Sequence, residues 1–351
     1  MVRVSGPMSC ALWELPGGRR ALLLGDHHFS REYMCPGSKR TVFVADFLDR
    51  LATERADVDI YLEGNKDAGD RVGAVEAWVR RVSRRPDRAG ADEDAPLRAS
   101  IRRFRRAGCF DLVRGVKKEA CAARFRGRIH DVDMRWRGSQ VMFTAWDELR
   151  VAITEWGERK FHQGTTGKDR ESRRLLAWLD KYGKASSVRK LIRAEFRRNK
   201  TEKQVARIAD PKLRAPLEGI LRVPPLDVSD SPGGFQRAMG NLRRLASRPM
   251  GPSLRDWEKL MDVSDEAFNA FVISFMWVMD AYALGRMLRD YDGGETARRM
   301  VVYAGDAHIR NYEEYFARVG GKRVSACLQE KARCVNVPLQ RFLARGAPPG
   351  G

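Results

Sequence analysis

Ala21-Leu22-Leu23-Leu24-Gly25-Asp26-His27-His28 and Val301-Val302-Tyr303-Ala304-Gly305-Asp306-Ala307-His308 follow one pattern, although some 280 residues separate them. Each is an apolar run of four residues followed by Gly-x-x-His. A short apolar run closed by glycine reads as a buried strand, and the polar residues then stand where that strand ends. The chain holds five histidines, and three of them (His27, His28 and His308) fall in these two strings. A carboxylate and an imidazole directly after a strand can present ligand atoms at a sheet edge. Two such strings point to one composite site.

Working outward, Ser9–Leu15 and Arg20–Leu24 flank Pro16-Gly17-Gly18, a hairpin signal. Between Ser38 and Arg55, apolar residues at 42, 43, 44, 47, 48 and 51 mark one face of an amphipathic helix. Val58–Leu62 is the next strand and runs into Glu63-Gly64-Asn65. Two or three basic helices then precede a third strand, Gly127–Asp133, which ends at Met134-Arg135. From Ser139 to about Asp262 the periodicity is helical, strongest over 139–160, 169–183, 186–199 and 234–247, with a Pro- and Gly-containing linker at 223–233. Ser264 is expected to cap a helix reaching about Tyr291, because Asp265 and Glu266 in its first turn suit the helix dipole. A strand at Arg299–Ala304, a helix at Ile309–Val319 and a strand at Lys322–Leu328 complete the pattern.

Strands alternating with helices at both ends predict an α/β fold: a mostly parallel sheet with helices on both faces and a large, basic, mainly helical insertion. The expected division is 1–70 and 263–335 as the two halves of the core, with 127–137 as a core strand. Residues 71–126 form a basic helical segment, 138–262 the insertion and 336–351 a disordered tail. Parallel strands share one C-terminal edge, where α/β sheets bind their ligands. Gly25–His28, Glu63–Asn65, Asp131–Arg135 and Gly305–His308 all follow predicted strands.

The formal charge of +20 is unevenly placed. Residues 71–137 carry 19 basic and 9 acidic side chains and residues 158–222 carry 19 and 8, whereas 1–70 carry 9 and 11 and 223–351 carry 18 and 15. Clustered Arg and Lys attract polyanions, so nucleic acid or another polyanion is an expected partner through residues 71–222. The same charge also suits simple solvated helix faces. Six cysteines (10, 35, 109, 121, 327, 334) show no C-x-x-C spacing, and residues 1–20 lack the apolar core of a signal peptide. Free thiols in a reducing intracellular compartment are expected. The longest apolar run, Ala270–Met279, is about half of a bilayer span, so no membrane insertion is expected.

Two imidazoles and a carboxylate from separate strand ends suit a divalent transition metal such as Mn, Co, Zn or Fe, with positions left for water. His28 and His308 are the leading ligands, with Glu63 as third ligand or general base. Asp26, Asp306 and His27 are placed to complete the shell or orient the imidazoles. Arg135 or Arg286 can stabilise an oxyanion. Asp131 and Asp133 alternate along a strand, so one of them at most faces the crevice. Asp280 and Arg286 read equally well as a buried polar couple or as catalytic groups, and His130 and His162 read as structural.

The paired motifs, at Gly25 and His28 and at Gly305 and His308, with Glu63 and an arginine (135 or 286) between them, resemble the TIKI/TraB/GumN superfamily. That group is related to erythromycin-esterase-like and haem-binding ChaN-like proteins. The resemblance covers about 130 residues at the two ends and implies a metal-dependent hydrolase site for an amide or ester bond, peptidase-like in TIKI. Haem binding through one histidine is a further implication of the ChaN likeness. Asp26 stands where many relatives have Glu. Both strings also look like uncharacterised proteins of giant DNA viruses, which would place the chain in a host cytoplasm or a virion. The alternative expectation on the same fold is a catalytically inactive protein that binds nucleic acid or another polyanion.

Overall fold

The computed structural model describes residues 1–26, 41–55, 57–63, 128–132, 140–226, 233–251, 254–291, 298–327 and 334–344. Two compact units emerge: Met1–Trp136 with Lys203–Pro216 and Ala283–Gly351, and Arg137–Glu202 with Leu217–Tyr282. The expected insertion thus extends past Asp262 to Tyr282, and 203–216 returns to the first unit.

The first unit is built on strands β1 (Val2–Ser5), β2 (Ser9–Leu15), β3 (Arg19–Asp26), β4 (Thr41–Phe43), β5 (Val58–Leu62), β6 (Arg128–Asp131), β7 (Arg299–Gly305), β8 (Lys322–Cys327) and β9 (Cys334–Val337). Six of them form one sheet in the order β6-β5-β7-β3-β2-β8. The β6/β5, β5/β7 and β7/β3 pairs are parallel, while β3/β2 and β2/β8 are antiparallel, so the sheet is mixed. The hairpin between β2 and β3 turns through Gly17 at φ 75 and Gly18 at φ 72, left-handed backbone that favours glycine.

Alternation along the strands sorts the core. Leu22, Leu24, Ile60, Leu62, Val301 and Tyr303 pack with Val44, Phe47, Leu48 and Leu51 of α1 (Val44–Glu54). Trp13 carries the opposite parity to Leu12 and lies against Phe316, with ring centroids 6.1 Å apart. Residues 42 and 43, assigned to a helix by periodicity, instead belong to β4, which pairs in parallel with β1. β1 also pairs antiparallel with β9, Val2 opposite Val337. Residues 336–343 are therefore ordered, in β9 and in a short helix at Leu339–Leu343 whose Phe342 joins the core. Cys10 and Cys334 are each held in a disulfide. The expectation of free thiols fails at these two positions.

The second unit is helical among its described residues: α2 (Gln140–Gln163), α3 (Arg170–Tyr182), α4 (Ala185–Arg198), the start of α5 (Thr201–Ala206), the second half of α6 (Pro211–Arg222), α7 (Gly234–Ala246) and most of α8 (Leu254–Leu288). Trp156 donates to Ser172 Oγ at 3.1 Å, Trp178 donates to the Ala145 carbonyl at 2.9 Å, and Trp178 meets Phe271 edge-on at 5.0 Å. Ser264 caps nothing: α8 begins ten residues earlier, and Ser264 is buried in mid-helix. The acidic first turn was a misleading signal, because buried packing carries the helix through it. Glu258–Leu288 is long and apolar enough to cross a membrane by length and composition, yet 67% of its most apolar window is buried within the protein.

Asp169 supplies a true cap, accepting from Ser172 N at 2.8 Å and Thr166 N at 3.0 Å. Burial pushes its pKa up, but these backbone bonds outweigh it and hold the carboxyl below the usual range. Its stabilisation is present above the ordinary carboxylate pKa and is lost as pH falls through the lowered one. Asp169→Ala should cost about 1 kcal/mol at pH 7, with the difference from wild type shrinking as pH falls through the lowered pKa; urea melts at neutral and strongly acid pH check this.

Candidate functional site

The four predicted strand ends do share an edge. Asp26 pairs with Gly305 across β3/β7, and Leu62 pairs with Tyr303 on one side and Asp131 on the other. Glu63 directly follows β5; its N–H donates to the Tyr303 carbonyl at 3.1 Å, so the ladder extends by one residue beyond the strand. The second Gly-x-x-His string straddles a strand and a helix. Gly305 closes β7 and N-caps α9 (Asp306–Arg318), which puts Asp306 and His308 in the first helical turn.

Glu63 connects these parts. Its side chain is 1% exposed. Oε2 accepts from the Gly305 amide at 2.6 Å, supplying an anion at the α9 N-terminus where the helix dipole favours one. Oε1 lies 3.5 Å from His308 Nε2. One carboxylate thus anchors the helix that carries the histidine and also faces that histidine.

The aspartates go elsewhere. Asp26, on the same strand face as Leu22 and Leu24, accepts from the Tyr303 hydroxyl at 3.0 Å and is buried. Asp306 accepts from Ser9 Oγ at 2.5 Å and from Arg310 Nη2 at 3.0 Å. A Cβ on Gly25 would meet Ser9 Oγ and lie 2.5 Å from Asp306 Oδ1. Gly25 is therefore glycine for space: the Ser9–Asp306 bond occupies the volume of a side chain. Because successive residues of a strand point to opposite faces, Asp26 and Asp306 lie on opposite sides of β3. Gly25→Ala should destabilise the protein by about 1–3 kcal/mol through overpacking, measured as a lower urea midpoint.

His27, His28, Asp133 and Arg135 lie outside the described residues, as does the Asp131 side chain. Asp280 is fully buried in the helical unit, whereas Arg286 belongs to the sheet unit. His162 lies in the last turn of α2.

Arg286 leads to a histidine that the sequence had assigned to structure. Arg286 Nη2 is 2.9 Å from His130 Nδ1. Arginine can only donate, so Nδ1 must accept, and the ring proton resides on Nε2. That nitrogen faces the Tyr291 hydroxyl at 3.5 Å and Asp59 Oδ1 at 3.9 Å. His130 stacks on Tyr61, its cross-strand neighbour, with centroids 4.5 Å apart. Tyr61 and Tyr291 join hydroxyl to hydroxyl at 3.1 Å. Asp59 takes both Nε and Nη2 of Arg128 at 2.8 Å, and burial raises its pKa less than the His130 and Arg128 contacts lower it.

Burial, with Arg286 and Arg128 adding repulsion, brings the His130 pKa down to about 4 despite the attraction of Asp59. A folded pKa of about 4 against 6.5 unfolded means that the unfolded chain binds the extra proton between those values. Stability contributed by neutral His130 is complete above pH 6.5 and lost as pH falls towards 4, by roughly 3 kcal/mol in all. Replacing His130 by Gln should lower stability at pH 7 and flatten the profile between pH 6.5 and 4, read from chemical melts across that range. The alternation of Asp59, Tyr61 and Glu63 was the available sequence signal that these residues share a face.

No family model, curated protein or solved structure matches this chain. Among the described residues, no three His, Cys, Asp or Glu side chains converge as a metal cage. The donor chemistry of Glu63 Oε1 and His308 Nε2 fits a divalent ion, since two ligands at about 2 Å from one metal lie roughly 3 Å apart.

Proposed function

We propose that the sheet unit is a metal-dependent hydrolase of amide or ester bonds, with its site at the C-terminal edge of β3, β5 and β7. The observation that supports this reading is the approach of Glu63 Oε1, just after β5, to His308 Nε2 in the first turn of α9. Glu63, His308 and His28 would hold the ion. When bound, it would supply Lewis acidity and a water acidic enough to serve as nucleophile near neutral pH.

The chain's own groups have separable tasks. Glu63 is held by the Gly305 amide, so it meets the site in one orientation. The Arg286 guanidinium, bonded to neutral His130, offers a permanent positive charge towards negative charge developing on a substrate carbonyl. Asp306 with Ser9, and Asp26 with Tyr303, hold the strand ends that carry these groups.

Protein purified without a metal-affinity tag should contain about one divalent transition-metal ion per chain by elemental analysis. His28→Ala combined with His308→Ala should remove it, and both the metal and hydrolysis of a panel of aryl esters and anilides should be lost. Stoichiometric metal persisting in the double variant would sink the reading.

A further inference from the structure

In α4 the side chains are sorted by charge as well as by hydropathy. Val188, Ile192 and Phe196 are fully buried. The helix has one carboxylate, Glu195, which is 2% exposed and lies 3.7 Å from Arg198. The exposed residues are Ser186, Lys190, Arg193, Ala194, Arg197 and Arg198, while Arg189 is half-buried and donates to the Pro224 carbonyl. The solvent face therefore carries cations and no carboxylate. Lys190, Arg193 and Arg197 recur at i, i+3 and i+7, a straight stripe about 10 Å long. Exposed Arg222 adjoins it, its carbonyl receiving Arg193 Nη1 at 3.5 Å.

Neighbouring helices show what a merely solvated basic surface looks like here. Arg174 of α3 pairs with Glu155 at 2.5 Å, Lys181 with Glu148 at 3.9 Å, and Arg243 of α7 with Asp180 at 2.7 Å. Each of these three cations is matched by a carboxylate from another helix. On α4 the pairs 189/193, 190/193 and 193/197 bring like charges together, each costing a helix about 0.2–0.5 kcal/mol. A stripe kept at that cost fits an anionic partner that repays it.

We infer that this face of α4 docks the phosphodiester backbone of a nucleic-acid duplex. Guanidinium groups bind phosphate in bidentate fashion, and a duplex strand offers a phosphate about every 3.4 Å along its axis, so the stripe can span two or three. Exposed positions of α4 include no aromatic residue on which unpaired bases would stack. They include no large apolar anchor of the kind that centres a protein interface. The apolar face of the helix is buried within the unit, so it has none to insert into a bilayer. This surface lies in the helical unit and stands or falls independently of the hydrolase reading.

The test is fluorescence anisotropy of full-length protein with labelled DNA and RNA duplexes of about 20 base pairs, titrated from about 50 to 200 mM KCl. Wild type should bind at low salt and weaken steeply. Lys190→Gln/Arg193→Gln/Arg197→Gln should reduce the slope of log K against log salt by about 2–3. The same triple variant should bind at least about tenfold more weakly at the low-salt end. Arg170→Gln/Arg173→Gln/Arg248→Gln, with the same net charge, should leave the slope unchanged. Lys190→Glu alone should weaken binding too, while gaining an i,i+3 ion pair that supports the helix; circular dichroism checks that each variant is folded. Absence of duplex binding by wild type would overturn the inference. So would equal loss in the control triple, or stripe-dependent binding to phosphatidylserine vesicles without duplex binding.

Discussion

β7 lies between β3 and β5 and is hydrogen-bonded in parallel to both, which joins segments that are hundreds of residues apart in the chain. Parallel pairing admits one polarity, so the three strands must end on the same edge. Everything proposed for the site depends on that constraint. Asp26 reaches Tyr303, Glu63 reaches Gly305, and Asp306 reaches Ser9 because their strands end within one or two residues of each other in register. A slip of one residue would turn every side chain of β7 to the opposite face and dissolve all three contacts.

Glu63 illustrates how one buried carboxylate can serve both fold and site. An isolated buried charge is costly. Glu63 meets that demand with the free amide at the start of α9, an N–H that no helical carbonyl can satisfy. The helix is thereby fixed against β5, and His308 in its first turn comes within 3.5 Å of the second carboxylate oxygen. The Asp59–Arg128 pair follows the same logic on the same face of β5, with His130 kept neutral beside Arg286 by burial.

The legible part of the fold came from its strongest periodicities. Leu22–Leu24 and Val301–Ala304 are continuous apolar runs, Val58–Leu62 is apolar except for Asp59, and α3, α4 and α7 each keep one apolar face, so their existence followed from residue order. β1 and β9 were missed because Val2-Arg3-Val4 and Val335-Asn336-Val337 are too short to signal strands without each other. The start of α8 was misplaced because a good capping signal at Ser264 sits inside a helix stabilised by burial. The two Gly-x-x-His strings were visible as spelling, but their glycines have different reasons. Gly25 leaves room for the Ser9–Asp306 bond, whereas Gly305 offers an amide to Glu63.

The sequence by itself determined the alternation of strand and helix at both ends, the placement of polar groups after the strands, and the segregation of basic charge into the middle of the chain. These are properties of local order and composition, which hydrophobic periodicity and turn chemistry reveal directly. Only the tertiary structure decided which of those polar groups meet. It separated Asp26 from Asp306 by strand parity and joined Glu63 to His308 through a helix N-terminus. It also brought His130 to Arg286 across 156 positions and set Lys190, Arg193 and Arg197 of α4 on a face with no carboxylate, where Arg174, Lys181 and Arg243 of α3 and α7 found carboxylates. Such outcomes depend on register, burial and long-range pairing, which linear spacing does not encode.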